Sequence, residues 1–259
     1  MGARKRTYKK KSVSGKVSAL SRAVRIMSRQ EEIKTLQYSI SDRSVGPYYN
    51  MGSSFQIHQL TANGTTLPIP INATSGGRIG NKISFVSGKI RMNFYAAPYD
   101  ATTNPYPQPC YVLVYVLTRR DTAQGIPTAS LPYFYQSGST AVGPSGYLAD
   151  KFNVVNNDLY RIYKKYVLKV GPASNTGTGA SPGNAYWSNN DYSLNKSLTI
   201  DFTKDMIKTV KFNDSASNEP TSRGLWLAIE AISATNTGMA LNQLPVNYLA
   251  EIDLRWKDT

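Results

Sequence analysis

Apolar residues recur at every second position through "VNYLAEIDLRWK", where Val246, Tyr248, Ala250, Ile252, Leu254 and Trp256 share one parity and mostly polar residues fill the other. A period of two sustained over a dozen residues predicts a strand with one buried face. "KISFVSGKIRMNFY" alternates as well, but its apolar residues are odd-numbered at Ile83 and Phe85 and even-numbered at Ile90, Met92 and Phe94. That change of phase beside Gly88 predicts a β-bulge. The uninterrupted apolar run "CYVLVYVL", Cys110 to Leu117, is a buried strand, far below the ~20 residues that a membrane helix needs. Further strands are expected at 33–40, 54–60, 152–156, 159–170, 207–212 and 225–233.

Between these segments lie runs such as "APYDATTNPYPQP" and "GPASNTGTGASPGNAYWSNND", rich in turn formers and poor in anything that sustains a helix. Short strands joined by long surface loops, with no repeat of fixed period, predict an all-β protein, an antiparallel sandwich or jelly roll rather than a parallel α/β fold. The strand order does not follow from the pattern.

Helical periodicity is confined to the beginning of the chain. In "VSALSRAVRIMSRQ", Val17, Leu20, Val24 and Met27 recur at spacings of three and four, with Arg22, Arg25 and Arg29 roughly opposite. The expectation is a short amphipathic basic helix, against the plainer alternative of a solvated tail with accidental periodicity. A membrane-surface helix usually carries Trp or Phe on its apolar face, and this segment has neither.

Charge divides the chain at the same place. Ten cations precede the first acid, Glu31: Arg4, Lys5, Arg6, Lys9, Lys10, Lys11, Lys16, Arg22, Arg25 and Arg29. The full chain has 30 Lys and Arg against 16 Asp and Glu, so the rest keeps 20 against 16 and is close to neutral. A segment this basic and this poor in large apolar side chains buries too little surface to fold alone. Residues 1–30 therefore read as a basic arm and 31–259 as one β domain, a size ordinary for a sandwich. The single Cys110 excludes an internal disulfide framework, and the basic arm lacks the apolar core of a secretory signal.

Catalysis finds little support. The one histidine, His58, lies within a short strand pattern and the one thiol within the most apolar strand, and neither has a credible partner. Zinc needs about four His or Cys ligands, which the chain does not have. "GGRIGNK" lacks the spacing and the Ser or Thr of a phosphate-binding loop. The expectation is a non-enzyme without metal or cofactor. A second cationic feature does stand out in "LYRIYKKYVLKV". Its even positions are mainly apolar, and its odd face presents Arg161, Tyr163, Lys165 and Lys169. Cations around an aromatic can pair phosphates and stack an unpaired base. An exposed strand face kept soluble by lysines is the equally open alternative.

Four stretches resemble the capsid proteins of circovirus-like, replication-initiator-encoding circular single-stranded DNA viruses. They are "EIKTLQYSI" directly after the arm, "GGRIGNKISFVSGKIRMNF", "CYVLVYVLTRRDTAQG" and the closing "VNYLAEIDLRWKD", together about a third of the chain. The resemblance implies an eight-stranded jelly roll, about sixty copies in an icosahedral shell, and an arm directed at the packaged genome. This arm is shorter than is typical of that group and has equal Arg and Lys, so a small RNA virus capsid is the nearby variant. On this reading the partners are other copies of the chain, a single-stranded DNA genome (or RNA), a cell-surface receptor and, since "RKRTYKKK" fits a nuclear-import signal, the host import machinery. The protein would reside in the virion and, during assembly, in the host nucleus. The competing function is a non-viral β-sandwich module, a carbohydrate or nuclear nucleic-acid binder, whose Tyr-rich loops "PYFYQ" and "NAYWSNNDY" stack on sugars. Such loops equally suit subunit interfaces.

Overall fold

The computed structural model describes residues 17, 18, 20–22, 33–46, 56–60, 77, 78, 81–98, 100, 102, 104, 107–120, 133–137, 139–171, 193–212, 224–234 and 244–258. The chain divides into two units, Met1–Ile33 and Lys34–Thr259. In the first, Val17, Ser18, Leu20, Ser21 and Arg22 are helical and exposed, within the segment whose periodicity predicts a helix. Val24 and Met27 lie outside the described residues, as do nine of the ten arm cations, Arg22 being the exception.

The second unit is built from strands β1 (Lys34–Val45), β2 (Gln56–Gln59), β3 (Lys82–Ala96), β4 (Cys110–Arg119), β5 (Tyr135–Ser137), β6 (Thr140–Val142), β7 (Val154–Val155), β8 (Tyr160–Val170), β9 (Asn195–Asp201), β10 (Thr209–Lys211), β11 (Trp226–Ser233) and β12 (Val246–Asp258), with one 3-10 turn at Leu148–Lys151. In sheet A the order is β1-β12-β3, with β9 and β10 both pairing with β3; in sheet B it is β2-β11-β4-β8. Every one of these pairings is antiparallel. With the eight principal strands lettered B to I in chain order, the sheets read B-I-D-G and C-H-E-F, the arrangement of a jelly roll. Strand order, which periodicity could not supply, thus establishes the fold.

The sandwich core follows from the alternation read in the sequence. Phe94, Ile90, Tyr248, Ile252 and Trp256 from sheet A meet Val112, Val114, Val116, Leu227 and Ile229 from sheet B in one apolar cluster. Fully burying one such aliphatic or aromatic side chain contributes about 1.5–3 kcal/mol before entropic costs. β4 and β11 carry an uninterrupted apolar pattern for a different reason. All of β11 and nearly all of β4 are buried, because both faces of sheet B are covered. The second cover is a small sheet, β6-β5-β7, joined by the Leu148–Lys151 turn. Its Phe134, Tyr135 and Val155 pack on Leu113, Tyr115, Leu117, Trp226 and Ile232.

The change of phase in β3 is a bulge. Ser87 pairs with Arg255 but Phe85 with Trp256, so Val86 is the extra residue, two positions before Gly88. Gly88 itself meets a different constraint, since the Phe202 ring lies against it and the Phe202 amide donates to Gly88 O at 3.0 Å. A Cβ there would stand 2.3 Å from Phe202 Cε2.

Two expectations need correction. "PYFYQ" is not a loop of exposed aromatics: Phe134 and Tyr135 are fully buried in the second cluster and only Tyr133 is exposed. β9 is absent from the expected strands, although Leu198 and Ile200 alternate inward toward the core.

Gly88→Ala should therefore lower stability by about 1–3 kcal/mol through overpacking against Phe202, read as a fall of several degrees in Tm. An unchanged Tm would show that the ring has room to move.

Candidate nucleic-acid interface

β8 is an edge strand of sheet B, and a bulge decides what it presents. Val116 pairs with Lys164 and Leu117 with Ile162, which leaves Tyr163 as the extra residue and reverses the alternation there. Tyr160 and Ile162, before the bulge, pack in the outer cluster; Tyr166, Leu168 and Val170, after it, pack in the sandwich core. The even-numbered apolar positions that look like one face are thus shared between two.

The candidate cations are divided in the same way. Arg161 stacks over the Tyr163 ring at 5.0 Å, and Tyr163 packs against the sandwich core, so both belong to the inner side. Lys165 and Lys169 follow the opposite alternation, opposite Tyr115 and Tyr111 of β4 on the outer side. Arg161, Tyr163, Lys165 and Lys169 therefore do not form the single surface that the sequence predicts. The bulge, which no local pattern announces, is the reason.

What the fold does assemble is a smaller group on the outer face. Lys165 Nζ donates to Lys151 O at 3.0 Å, and Lys151 Nζ sits 3.9 Å from the centre of the Tyr111 ring, whose cross-strand neighbour is Lys169. Lys151 over Tyr111, Lys165 with its ammonium 5.3 Å from the centre of the Tyr115 ring, and Lys169 beside Tyr111 in the ladder bring three lysines to one face with two tyrosines, a group suited to pairing phosphates. Partial burial lowers the pKa of Lys165, opposed by the nearby Glu230 and Asp150 carboxyls. Sequence reasoning missed Lys151, which comes from the turn that folds over sheet B. Its only signal was "ADK" before a strand, too common to single out.

Lys164, the exception on the apolar parity of β8, acts structurally. Its ammonium pairs with Asp205 at 3.1 Å and donates to the Asp201 carbonyl, clasping sheet B to the β9 end of sheet A. The outer face of sheet A sets charges of opposite sign side by side. Lys89 pairs with Asp201 at 3.8 Å, Arg91 with Glu251 at 3.7 Å and Arg255 with Asp253 at 3.6 Å. Pairs of opposite sign add little stability at an exposed face, but each cation so paired is less available to a polyanion. Thr203 side-chain and backbone hydrogen bonds, with Lys89 and Lys164, hold the Asp201 carboxyl below its ordinary range.

Cys110 is buried, donates to Gln108 O at 3.1 Å, and burial pushes its thiol pKa up, so it stays protonated. His58 lies in β2, opposite Leu227 of β11. No cluster of three or more potential metal ligands exists among the described residues.

No family model matches the chain, and no curated protein matches it in sequence. Solved structures align loosely. One from Desmodium yellow mottle tymovirus covers 87% of this chain and 88% of its own at 9% identity, with a TM-score of 0.30. VP1 of Trichodysplasia spinulosa-associated polyomavirus, solved with GM1 oligosaccharide, covers 88% of this chain and 93% of its own at 8% identity and a TM-score of 0.26. The same VP1 with sialylated precision glycooligomers covers 88% and 94% at 8% identity and a TM-score of 0.25. All three come from viruses, and none of the three from a circovirus. Likenesses this loose carry no argument about function; the jelly roll rests on this chain's own strand order.

In a chain lacking residues 2–16, Lys165→Ala with Lys169→Ala should weaken binding to a short single strand and flatten its salt dependence by about 0.7 for each phosphate left unneutralised, whereas Arg161→Ala should leave both unchanged. Equal weakening by Arg161→Ala, measured by salt titration, would return Arg161 to the same surface.

Proposed function

We propose that the protein is the coat protein of a small virus of the circovirus-like kind. It assembles into a closed icosahedral shell of about sixty copies and packages a single-stranded nucleic-acid genome through its basic arm, largely without reading sequence. One observation carries the reading: ten cations precede the first acid and are attached to a jelly roll that is itself close to neutral, with 20 Lys and Arg against 16 Asp and Glu. A polyanion is the ligand that suits such an arm, because each phosphate neutralised releases a condensed counterion. Arg4, Lys5, Arg6, Lys9, Lys10, Lys11, Lys16, Arg22, Arg25 and Arg29 do this work, with the Lys151, Lys165 and Lys169 group as an auxiliary contact. The role is structural and not catalytic.

Self-association is supported by exposed apolar side chains on an otherwise well-packed body. Phe152 is 74% exposed, and Tyr147, Val154 and Tyr133 are also open on the same small sheet and turn. The genome is single-stranded DNA on the strength of the resemblance, and the nuclear-import reading of "RKRTYKKK" places assembly in the nucleus and the product in the virion.

Deleting residues 2–16 removes seven of the ten arm cations and no part of the β body. The truncated protein should still fold and form shells, but with a lower 260/280 nm absorbance ratio and a salt slope shallower by up to about 5. Truncated shells that carry as much nucleic acid as the full-length ones would remove packaging from the arm. Electron microscopy that finds only monomers across salt and pH would overturn the shell itself.

A further inference from the structure

Two carboxylates are fully buried beneath the small outer sheet: Asp150 from the Leu148–Lys151 turn and Glu230 from the middle of β11. Asp150 is saturated with donors. Its Oδ2 accepts from the Ser145 and Gly146 amides at 2.6 and 2.7 Å, and its Oδ1 from Ser145 Oγ at 2.8 Å and Asn153 Nδ2 at 3.1 Å. On Glu230, Oε2 accepts from the Tyr135 hydroxyl at 2.9 Å, and the Tyr135 hydroxyl is in turn 2.9 Å from that of Tyr115. Oε1 of Glu230 has no hydrogen-bond partner, and the Glu230 carboxyl lies beside both Asp150 and the Gly146 amide that Asp150 holds.

Two ionised carboxylates in contact in a dry site repel, and an acceptor without a donor is costly to bury. One proton removes both faults. Asp150 already takes four donors as an anion, so the proton belongs on Glu230, which then donates to Asp150. The charged and titratable groups around the pair do not replace that proton. Lys165 of β8 is turned to Lys151 O and lies 5.3 Å from the Tyr115 ring centre, Lys151 of the turn faces Tyr111 and Phe152, and Tyr115 of β4 and Tyr135 of β5 supply only hydroxyls. Among the described residues neither carboxylate has an ion-pair partner.

We propose that the proton shared by Glu230 and Asp150 is a latch that holds the β5–β7 sheet and its 3-10 turn closed on sheet B, and that its loss releases them. The cover bears Tyr147, Phe152 and Val154 on its exposed side, so release would rearrange that apolar surface. The device does not depend on the capsid reading.

The sign follows from linkage. Burial and the neighbouring Asp150 hold the Glu230 carboxyl well above the usual carboxylate range. The contribution of Glu230 to closure is at full strength near about pH 4 and below, where Glu230 is protonated open or closed. As pH rises, the open form ionises first while the closed form keeps its proton, and closure weakens progressively.

The test is amide hydrogen exchange on the full-length protein, expressed as protection factors so that the intrinsic pH dependence cancels. Between about pH 5 and about pH 9, protection over residues 135–155 should fall at least about tenfold, while β3 and β12 stay constant. Glu230→Gln keeps an acceptor for Tyr135 and a donor for Asp150 but cannot ionise, so its cover should show no such fall. Tyr135→Phe removes the hydroxyl that stabilises ionised Glu230, and should move the fall to higher pH. A flat wild-type profile, a fall that persists in Glu230→Gln, or an unmoved midpoint in Tyr135→Phe would each overturn the latch. If Glu230→Gln does not fold, the wild-type profile and Tyr135→Phe decide.

Discussion

Sheet B cannot be left open to water on either side. Val112, Val114 and Val116 of β4 face the sandwich, while Leu113, Tyr115 and Leu117 of the same strand face away from it, so an apolar surface remains after the two large sheets have packed. The chain meets that requirement by laying part of the β4–β8 connection back over the sheet as β5, β6, β7 and a 3-10 turn. Most of what distinguishes this jelly roll follows from that second cover. It buries Phe134 and Tyr135, carries Lys151 to Tyr111, encloses Glu230 with Asp150, and presents Phe152 and Tyr147 outward.

Charge is organised on the same division of labour. Several cations of the described body pair with acids: Lys89, Arg91 and Arg255 across or along strands, Lys164 with Asp205, and Lys34 with Asp258 at 2.6 Å, its ammonium also donating to Gly77 O. The exposed pairs among these add little to stability, and with 20 cations against 16 acids the body has only a weak net charge of its own. The net charge of +14 therefore rests mainly on the arm, and a partner drawn by charge is drawn there.

How much could be read in advance differs between elements for physical reasons. β12, β3, β4 and β11 were legible because alternation or an unbroken apolar run reports burial residue by residue. The bulge in β3 was legible because its phase change falls within a strongly alternating strand. The bulge at Tyr163 was not, since the even positions of β8 stay apolar on both sides of it while the faces exchange. β9 was missed beside a long loop, although Leu198, Ile200 and Phe202 alternate. Of the short strands of the outer cover, β7 falls within the strand expected at 152–156, whereas β5 and β6, three residues each, are too short for any period to emerge. Of the candidate site, the arm was legible as a block of charge, the β8 cations only as a set whose shared face did not exist.

The amino-acid sequence by itself determined an all-β body, the positions of its main strands, the separation of a cationic arm from a nearly neutral domain, and the scarcity of His and Cys for catalysis or metal binding. These are properties of local periodicity and composition, which need no partner strand to be expressed. The tertiary structure alone decided the B-I-D-G and C-H-E-F order, the division of Arg161 from Lys165, and the meeting of Glu230 with Asp150 and of Lys151 with Tyr111. Each depends on register between strands distant in the chain and on which second surface covers sheet B. A single extra residue in a ladder exchanges the faces of every side chain beyond it, and no pattern confined to one strand reports that.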